Sequence, residues 1–288
     1  MIVAHPALAE KPLVSLAYFG GKAHSSSTGN GKWIARHLPM RQGYVEPFAG
    51  MLGILLQRRK CKMELVNDRC SLLASFWRCV REKNEEFLWK VWATPHSREF
   101  LNEARDVRDR VESGEDVPEV DRAWAAYACV SGNFAREIGT GTNKSFRVSM
   151  STAVLAKKKN VLERLRKIGE RVEDVQIENA DAVKLLDRIA ACDDIVIYCD
   201  PPYLHQNGVA YGQKVDDWNA FHDVLKKQKG FVAVSGYEGD HDALGWRRYE
   251  YKTFTPVGTA REKRPERKEC LWLNEKVETP ISMFDWEQ

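Results

Sequence analysis

Short apolar runs alternate with longer amphipathic segments along most of the chain from Tyr44 onward. The short runs are rich in β-branched and aromatic residues and are bounded by Gly, Pro or Asp, a pattern typical of buried strands. They predict seven strands: Gly43–Glu46, Met63–Val66, Val175–Ile177, Ile195–Cys199, Phe231–Ser235, Tyr249–Thr253 and Cys270–Leu273. Because helical patterns alternate with these runs, we expect βα units on a mostly parallel sheet, and the predicted fold class is α/β.

In the region between Asn84 and Gly169 the strand pattern nearly disappears. Charged helical patterns replace it, together with one stretch rich in Gly, Thr and Asn at Gly139–Asn143. This predicts a mainly helical module, residues 84–169, inserted into an α/β domain that is formed by residues 1–83 and 170–288. The segment Ser25–Gly31 (SSSTGNG) is typical of a loop, and the sequence leaves its role open.

The composition is that of a globular protein, since 43% of the 288 residues are hydrophobic, enough for one full core and a smaller module. No apolar run approaches the roughly 20 residues that span a bilayer, and the N-terminus lacks a signal-peptide pattern. We therefore expect a cytoplasmic protein that does not enter membranes. The seven cysteines are scattered and form no CxxC pair, which predicts reduced thiols and no metal site.

The net charge of +3 does not by itself indicate a nucleic-acid-binding protein. The local distribution is more informative, because acidic residues concentrate between Asp106 and Asp121 whereas basic residues form four clusters. These clusters are Arg58–Lys62, Lys157–Lys167, Lys226–Lys229 and Arg261–Lys268. They are compatible with a basic groove for DNA, and separate solvated faces are the alternative interpretation.

The segment Ile195–Tyr203 (IVIYCDPPY) carries the most informative chemistry, because a buried strand runs directly into an acid, two prolines and an aromatic residue. The prolines end the strand in a stiff, extended turn with unpaired carbonyl groups, at the sheet edge where open α/β folds bind ligands. The Asp200 carboxylate and the Pro201 carbonyl would accept hydrogen bonds from an amine, and the Tyr203 ring would stack on a planar base. The alternative is a proline-terminated strand with an Asp that caps the turn.

Methylation of the adenine N6 amine requires this kind of site. The N6 lone pair is delocalised into the ring and is a poor nucleophile, and two acceptors on its hydrogens draw the nitrogen toward tetrahedral geometry. An adenine inside a duplex must also be rotated out and held by stacking, which is the role predicted for Tyr203.

Three further motifs predict a cofactor site. Tyr44–Gly53 (YVEPFAGMLG) joins a strand to a glycine-containing turn, and Leu65–Asp68 (LVND) places an acid at the end of the second strand, where it can accept ribose hydroxyls. Tyr18–Lys22 (YFGGK) combines two glycines with a lysine that suits a carboxylate ligand. The alternatives are a helix N-cap for Asp68 and a surface turn for YFGGK, while GxGxxG and GxxxxGK[ST] patterns are absent from the sequence.

Taken in order, YFGGK, EPFAGMLG, LVND and DPPY resemble the motifs of the Dam-like family of N6-adenine-specific DNA methyltransferases. The resemblance implies a Rossmann-like core that depends on S-adenosylmethionine, with a helical target-recognition domain inserted where residues 84–169 fall. The implied cofactor-binding residues are Tyr18, Gly20, Gly21, Lys22, Glu46, Phe48, Gly50, Asp68 and Asp200. The implied catalytic residues are Asp200, Pro201, Pro202 and Tyr203.

The same resemblance suggests contacts with double-stranded DNA. Ser131–Arg136 (SGNFAR) is similar to the family's DNA-contacting loop, and the segment 205–212 (HQNGVAYG) is similar to its mobile loop near the flipped base. The candidate DNA-binding residues are Asn133, Arg136, Lys144, Arg147 and Tyr211, with ordinary solvated charges as the alternative for the basic ones. Val234–Tyr237 (VSGY) and Arg267–Asn274 (RKECLWLN) resemble the family's closing strands.

The chain departs from the family pattern at Leu52, which stands where FxGxG has its second glycine. We expect this bulkier residue to alter the turn and to narrow the pocket for the methionine part of the cofactor.

Two other functions are compatible with the sequence. One is an amino-methyltransferase that acts on cytosine, RNA or protein glutamine, and the other is a DNA-binding protein that has lost catalysis. The sequence predicts a monomer or weak dimer, with a cognate restriction enzyme as a possible partner, and it leaves the recognition sequence open.

Overall fold

The computed structural model describes residues 6–16, 22, 30–132, 138, 154–202, 215–254 and 266–274. The strands are β1 (Gly43–Glu46), β2 (Met63–Asn67), β3 (Gln176–Glu178), β4 (Ile195–Cys199), β5 (Phe231–Tyr237), β6 (Arg247–Phe254) and β7 (Glu266–Leu273). The helices are α1 (Asn30–Arg36), α2 (Ser71–Arg81), α3 (Glu85–Ala93), α4 (Arg98–Glu112), α5 (Glu119–Gly132), α6 (Val154–Arg171), α7 (Ala182–Ile189) and α8 (Trp218–Lys227). Short 3₁₀ helices occupy Leu55–Gln57 and Asp242–Leu244.

The seven strands form one sheet in the order β3-β2-β1-β4-β5-β7-β6. The first five are parallel, whereas β7 pairs antiparallel with both β5 and β6. The prediction of a mostly parallel α/β fold with seven strands is therefore confirmed. Strand order reverses between β1 and β4, and in open α/β sheets ligands bind at the carboxyl ends of the strands beside such a reversal.

Alternating side chains of the strands enter two separate apolar cores, because successive residues of a strand point to opposite faces of the sheet. Tyr44, Val196, Tyr198, Ala233 and Leu271 belong to a large core on one face, which we call face one. The residues between them, which include Val45, Ile197, Cys199, Val232 and Cys270, pack with α7 and α8 on the other face. Face one is covered by α1, α2 and the inserted helices.

Among its described residues, the segment that joins α2 to β3 forms helices α3, α4, α5 and α6, which loops connect, and no strand. Its helix α5 is buried from Ala123 to Val130 and packs against both α2 and α4. Asn84 and Ser97 begin α3 and α4 by accepting hydrogen bonds from the backbone N–H groups of Phe87 and Phe100. The same apolar core extends from the sheet through α2 into these helices, so the insertion is anchored on face one.

Among the helices that the structure describes, none is both long enough and apolar enough to cross a bilayer.

Candidate active site

The carboxyl ends of three parallel strands bring together the acidic residues that the motifs single out. Glu46 is the last residue of β1, Asp68 follows β2, and Asp200 follows β4. Phe48, Gly50, Pro201 and Pro202 lie in the turns that continue from these strands. The other candidates lie outside the described residues: Tyr18, Gly20, Gly21, Asn133, Arg136, Lys144, Arg147, Tyr203 and Tyr211.

Asp200 lies at the end of a strand that is buried along its whole length. Its side chain is 20% exposed, and its Oδ1 atom is 3.2 Å from Nζ of Lys22, which is itself only 7% exposed. The same ammonium group lies 2.6 Å from Oε1 of Glu269 on β7. Among the described residues, the Lys22 ammonium group is thus shared by two carboxylates of the protein. The sequence predicts a different partner for it, the carboxylate of the cofactor.

Glu46 is buried beside this group, and two donors point at one of its oxygens. The Tyr44 hydroxyl and the Leu55 backbone N–H both donate to Oε1, each at 2.6 Å. Burial is the main cause that raises the pKa of Glu46 to about 8; the negative charge of Asp200 acts in the same direction, and these hydrogen bonds oppose the change. Glu46 is therefore mostly protonated at neutral pH, and the edge of the sheet carries less negative charge than its acidic residues suggest.

Glu46→Gln is expected to make the free energy of unfolding less dependent on pH. The pKa of Glu46 is higher in the folded chain, so the stability that its neutral form contributes is full below pH 4.5 and is lost as pH rises to about 8. Urea unfolding should show the wild type losing up to about 1.4 kcal/mol per pH unit relative to the variant between about pH 5 and about pH 8. A difference that stays constant over this range would contradict the prediction.

The turn after β1 is tied to the end of β2 through Asp68. The backbone N–H of Gly50 donates to Oδ2 of Asp68 and that of Cys70 donates to Oδ1, both at 2.9 Å. Gly50 has the left-handed φ of 47°, and its carbonyl accepts a hydrogen bond from the Trp77 indole at 2.8 Å. Burial raises the pKa of Asp68 to about 6, so the carboxylate is still mostly ionised at neutral pH. Asp68 thus fixes the glycine turn and the backbone N–H group of Cys70, which is the N-cap residue of α2.

Leu52 adopts a φ of 54°, a left-handed backbone conformation that glycine accepts without strain and that costs other residues about 1–2 kcal/mol. Its side chain is 1% exposed and belongs to the apolar core of face one. The departure from the family's glycine pattern is therefore accommodated by core packing together with a strained backbone.

The strain at Leu52 predicts an unusual order of stability between two variants. Leu52→Gly should be more stable than Leu52→Ala by about 1 kcal/mol, because both lose the buried side chain and only alanine keeps the left-handed strain. Leu55 is equally buried but lies in the neighbouring 3₁₀ helix, so Leu55→Ala should be more stable than Leu55→Gly. Urea unfolding of the four variants tests this, and the same order at both positions would exclude strain at Leu52.

Four residues at this edge of the sheet were not predicted from the sequence. Glu269 contacts Lys22, the Asn30 side-chain amide donates to Oε2 of Glu269, and the hydroxyl groups of Tyr198 and Ser235 are hydrogen-bonded at 2.8 Å. A signal for Glu269 was present, since it shares a strand face with the buried Leu271. The sequence carries no comparable signal for Asn30, which falls within the predicted loop Ser25–Gly31 but is the first residue of α1.

Comparison with known proteins shows the family of the chain. The model of the D12 class N6 adenine-specific DNA methyltransferase family matches residues 18–232, which is most of the chain. Among curated proteins, no match to the chain was found. The match confirms the resemblance that YFGGK, EPFAGMLG, LVND and DPPY indicate, and with it a Rossmann-like methyltransferase core. The chain belongs to the D12 class of N6 adenine-specific DNA methyltransferases and is a site-specific adenine DNA methyltransferase.

Proposed function

We propose that the enzyme transfers the methyl group of S-adenosylmethionine directly to the N6 amine of an adenine that is rotated out of double-stranded DNA. The observation that carries this proposal is the position of Asp200. Its carboxylate follows a buried strand at the reversal of strand order and remains partly exposed, so a ligand can reach it.

The residues around β1 and β2 fit an adenosyl cofactor. Gly50 lets a ligand approach the backbone closely. Two backbone N–H groups hold the Asp68 carboxylate in place, and its remaining lone pairs can accept hydrogen bonds from the ribose hydroxyls. S-adenosylmethionine supplies an activated methyl group. We propose that Glu46, Phe48, Gly50 and Asp68 hold it, together with Tyr18, Gly20, Gly21 and Lys22 of the YFGGK segment.

Asp200 and Pro201 have complementary roles toward the base in this proposal. The Asp200 carboxylate and the Pro201 carbonyl accept hydrogen bonds from the two N6 hydrogens, which turns the nitrogen lone pair toward the methyl group. The negative charge of Asp200 also stabilises the positive charge that develops on N6. Pro202 stiffens the turn, and Tyr203 stacks on the base after it leaves the duplex.

We propose that residues 84–169 form the target-recognition part of the enzyme. Asn133, Arg136, Lys144 and Arg147 would contact DNA, and Tyr211 would lie near the flipped base. We propose that the enzyme works in the cytoplasm as a monomer or weak dimer. Partnership with a restriction enzyme stays a prediction from the sequence.

The test is methyl transfer from labelled S-adenosylmethionine to unmethylated genomic DNA, followed by nucleoside analysis of the digest. The expected product is labelled N6-methyldeoxyadenosine. Once the methylated sites are mapped, 2-aminopurine in place of the target adenine tests base rotation, since its fluorescence rises when it leaves the stack. DNA binding without a rise in fluorescence would contradict base rotation. Binding of S-adenosylmethionine without methyl transfer to DNA would contradict the proposed activity.

A further inference from the structure

Glu269 is the nearer of the two carboxylates at the Lys22 ammonium group. The distance from Nζ is 2.6 Å to Glu269 and 3.2 Å to Asp200. Glu269 lies beyond residues 18–232, which the family model matches, so the match does not assign it a role. Its contact with the lysine nevertheless connects it to Asp200, the proposed catalytic carboxylate.

The antiparallel direction of β7 explains how Glu269 reaches this edge. Glu269 pairs with Tyr237, the last residue of β5, while Val234 pairs with Cys199, the last residue of β4. The carboxylate therefore lies at the end of the sheet where Asp200 follows β4. The Asn30 side-chain amide donates to its second oxygen from the start of α1.

Both carboxylates and the lysine are largely removed from water, so their charges act on one another strongly. Lys22 and Glu269 are each buried, and Asp200 is 20% exposed. A lysine that faced only Asp200 would draw that carboxylate into a close ion pair and weaken it as an acceptor. Glu269 takes the shorter contact and so limits this competition.

We infer that Glu269 is a positioning residue, which holds the Lys22 ammonium group so that the Asp200 carboxylate stays oriented and able to accept hydrogen bonds from N6. This inference rests on the proposed function, in which Asp200 contacts the base. Glu269 acts through Lys22 and does not itself touch the substrate.

Glu269→Gln should lower kcat by about 10- to 100-fold, because it removes the charge that holds the lysine while keeping the shape of the side chain. The KM values for S-adenosylmethionine and DNA should stay within about twofold of the wild type. Glu250→Gln is the matched control, since Glu250 lies on the neighbouring strand β6 and contacts Arg248 and Lys268 at the protein surface. This control should retain wild-type kcat.

A double-mutant cycle separates positioning from a general structural role. In the Lys22→Met background, adding Glu269→Gln should change kcat by less than about twofold, because the lysine through which Glu269 acts is gone. Losses that multiply in the double variant, or a rise in the cofactor KM alone, would overturn the inference. Circular dichroism melting of each variant checks that it is folded.

Asn30→Ala provides a second variant if Glu269→Gln does not fold. It removes the amide donor to Glu269 but keeps both charges, so kcat should fall by only about two- to fivefold with unchanged KM values. Unaltered kcat in folded Asn30→Ala and Glu269→Gln would contradict the inference, whereas a wild type that does not methylate adenine would contradict the proposed function itself.

Discussion

Asp200→Ala is expected to lower methyl transfer to DNA by at least about 10³-fold while leaving a folded protein. Asp200 lies just beyond β4 and outside both apolar cores, so its removal creates no core cavity. Lys22 keeps Glu269 as an ion-pair partner, so the variant does not bury an uncompensated positive charge. Transfer of the labelled methyl group at saturating cofactor measures the loss.

The matched control is Asp193→Ala, which removes an exposed aspartate before the other end of the same strand and should leave methylation unchanged. Asp200→Asn keeps the side-chain shape and one acceptor oxygen, so it should retain more activity than Asp200→Ala. Near-normal methylation by a folded Asp200→Ala variant would show that the assignment of the active site is wrong.

The fold could be predicted from the sequence because the central strands β1, β4 and β5 are buried on both faces. Such strands form continuous apolar runs that end sharply at Gly, Pro or Asp, and Ile195–Cys199 before the two prolines is the clearest example. Two strands are longer than predicted. The strand β6 spans Arg247–Phe254, and β7 spans Glu266–Leu273. The extra residues are mainly charged or polar, and their pairing in an antiparallel hairpin adds no apolar pattern.

Of the candidate site, the sequence predicts the acidic residues that lie at the ends of strands. Glu46, Asp68 and Asp200 each follow an apolar run, and parallel strands bring their carboxyl ends to one edge. The partners of Lys22 could not be predicted in this way, because Glu269 is distant in sequence and reaches the edge through an antiparallel strand. The protonation of Glu46 likewise depends on burial and on the positions of Tyr44 and Leu55.

The division of the chain at Asn84 into an α/β domain and an inserted helical module stays a prediction. The inserted segment is helical, as its charged amphipathic pattern indicates, but α5 shares the apolar core of face one with α2 and the sheet. A helical pattern in the sequence reports the apolar stripe of each helix and not the surface against which it packs.

Asp68→Ala is expected to weaken the binding of S-adenosylmethionine by about 100-fold or more, since hydrogen bonds to a charged group contribute about 1.5–3 kcal/mol each. The variant removes the proposed acceptor for the ribose and also releases the backbone N–H groups of Gly50 and Cys70, so the glycine turn loses its anchor. Isothermal titration with S-adenosylmethionine measures the affinity directly, independent of DNA.

The control must distinguish loss of a ligand contact from loss of backbone hydrogen bonds, because Asp68 also holds the N–H group of Cys70, the N-cap residue of α2. Asp181 serves this purpose, since it accepts hydrogen bonds from the backbone N–H groups of Val183 and Lys184 at the start of α7. Asp181→Ala should cost about 1 kcal/mol of stability and leave cofactor affinity unchanged. If Asp68→Ala showed the same loss of stability with normal cofactor binding, Asp68 would only anchor the backbone of Gly50 and Cys70, and the ribose would have to be held by another residue.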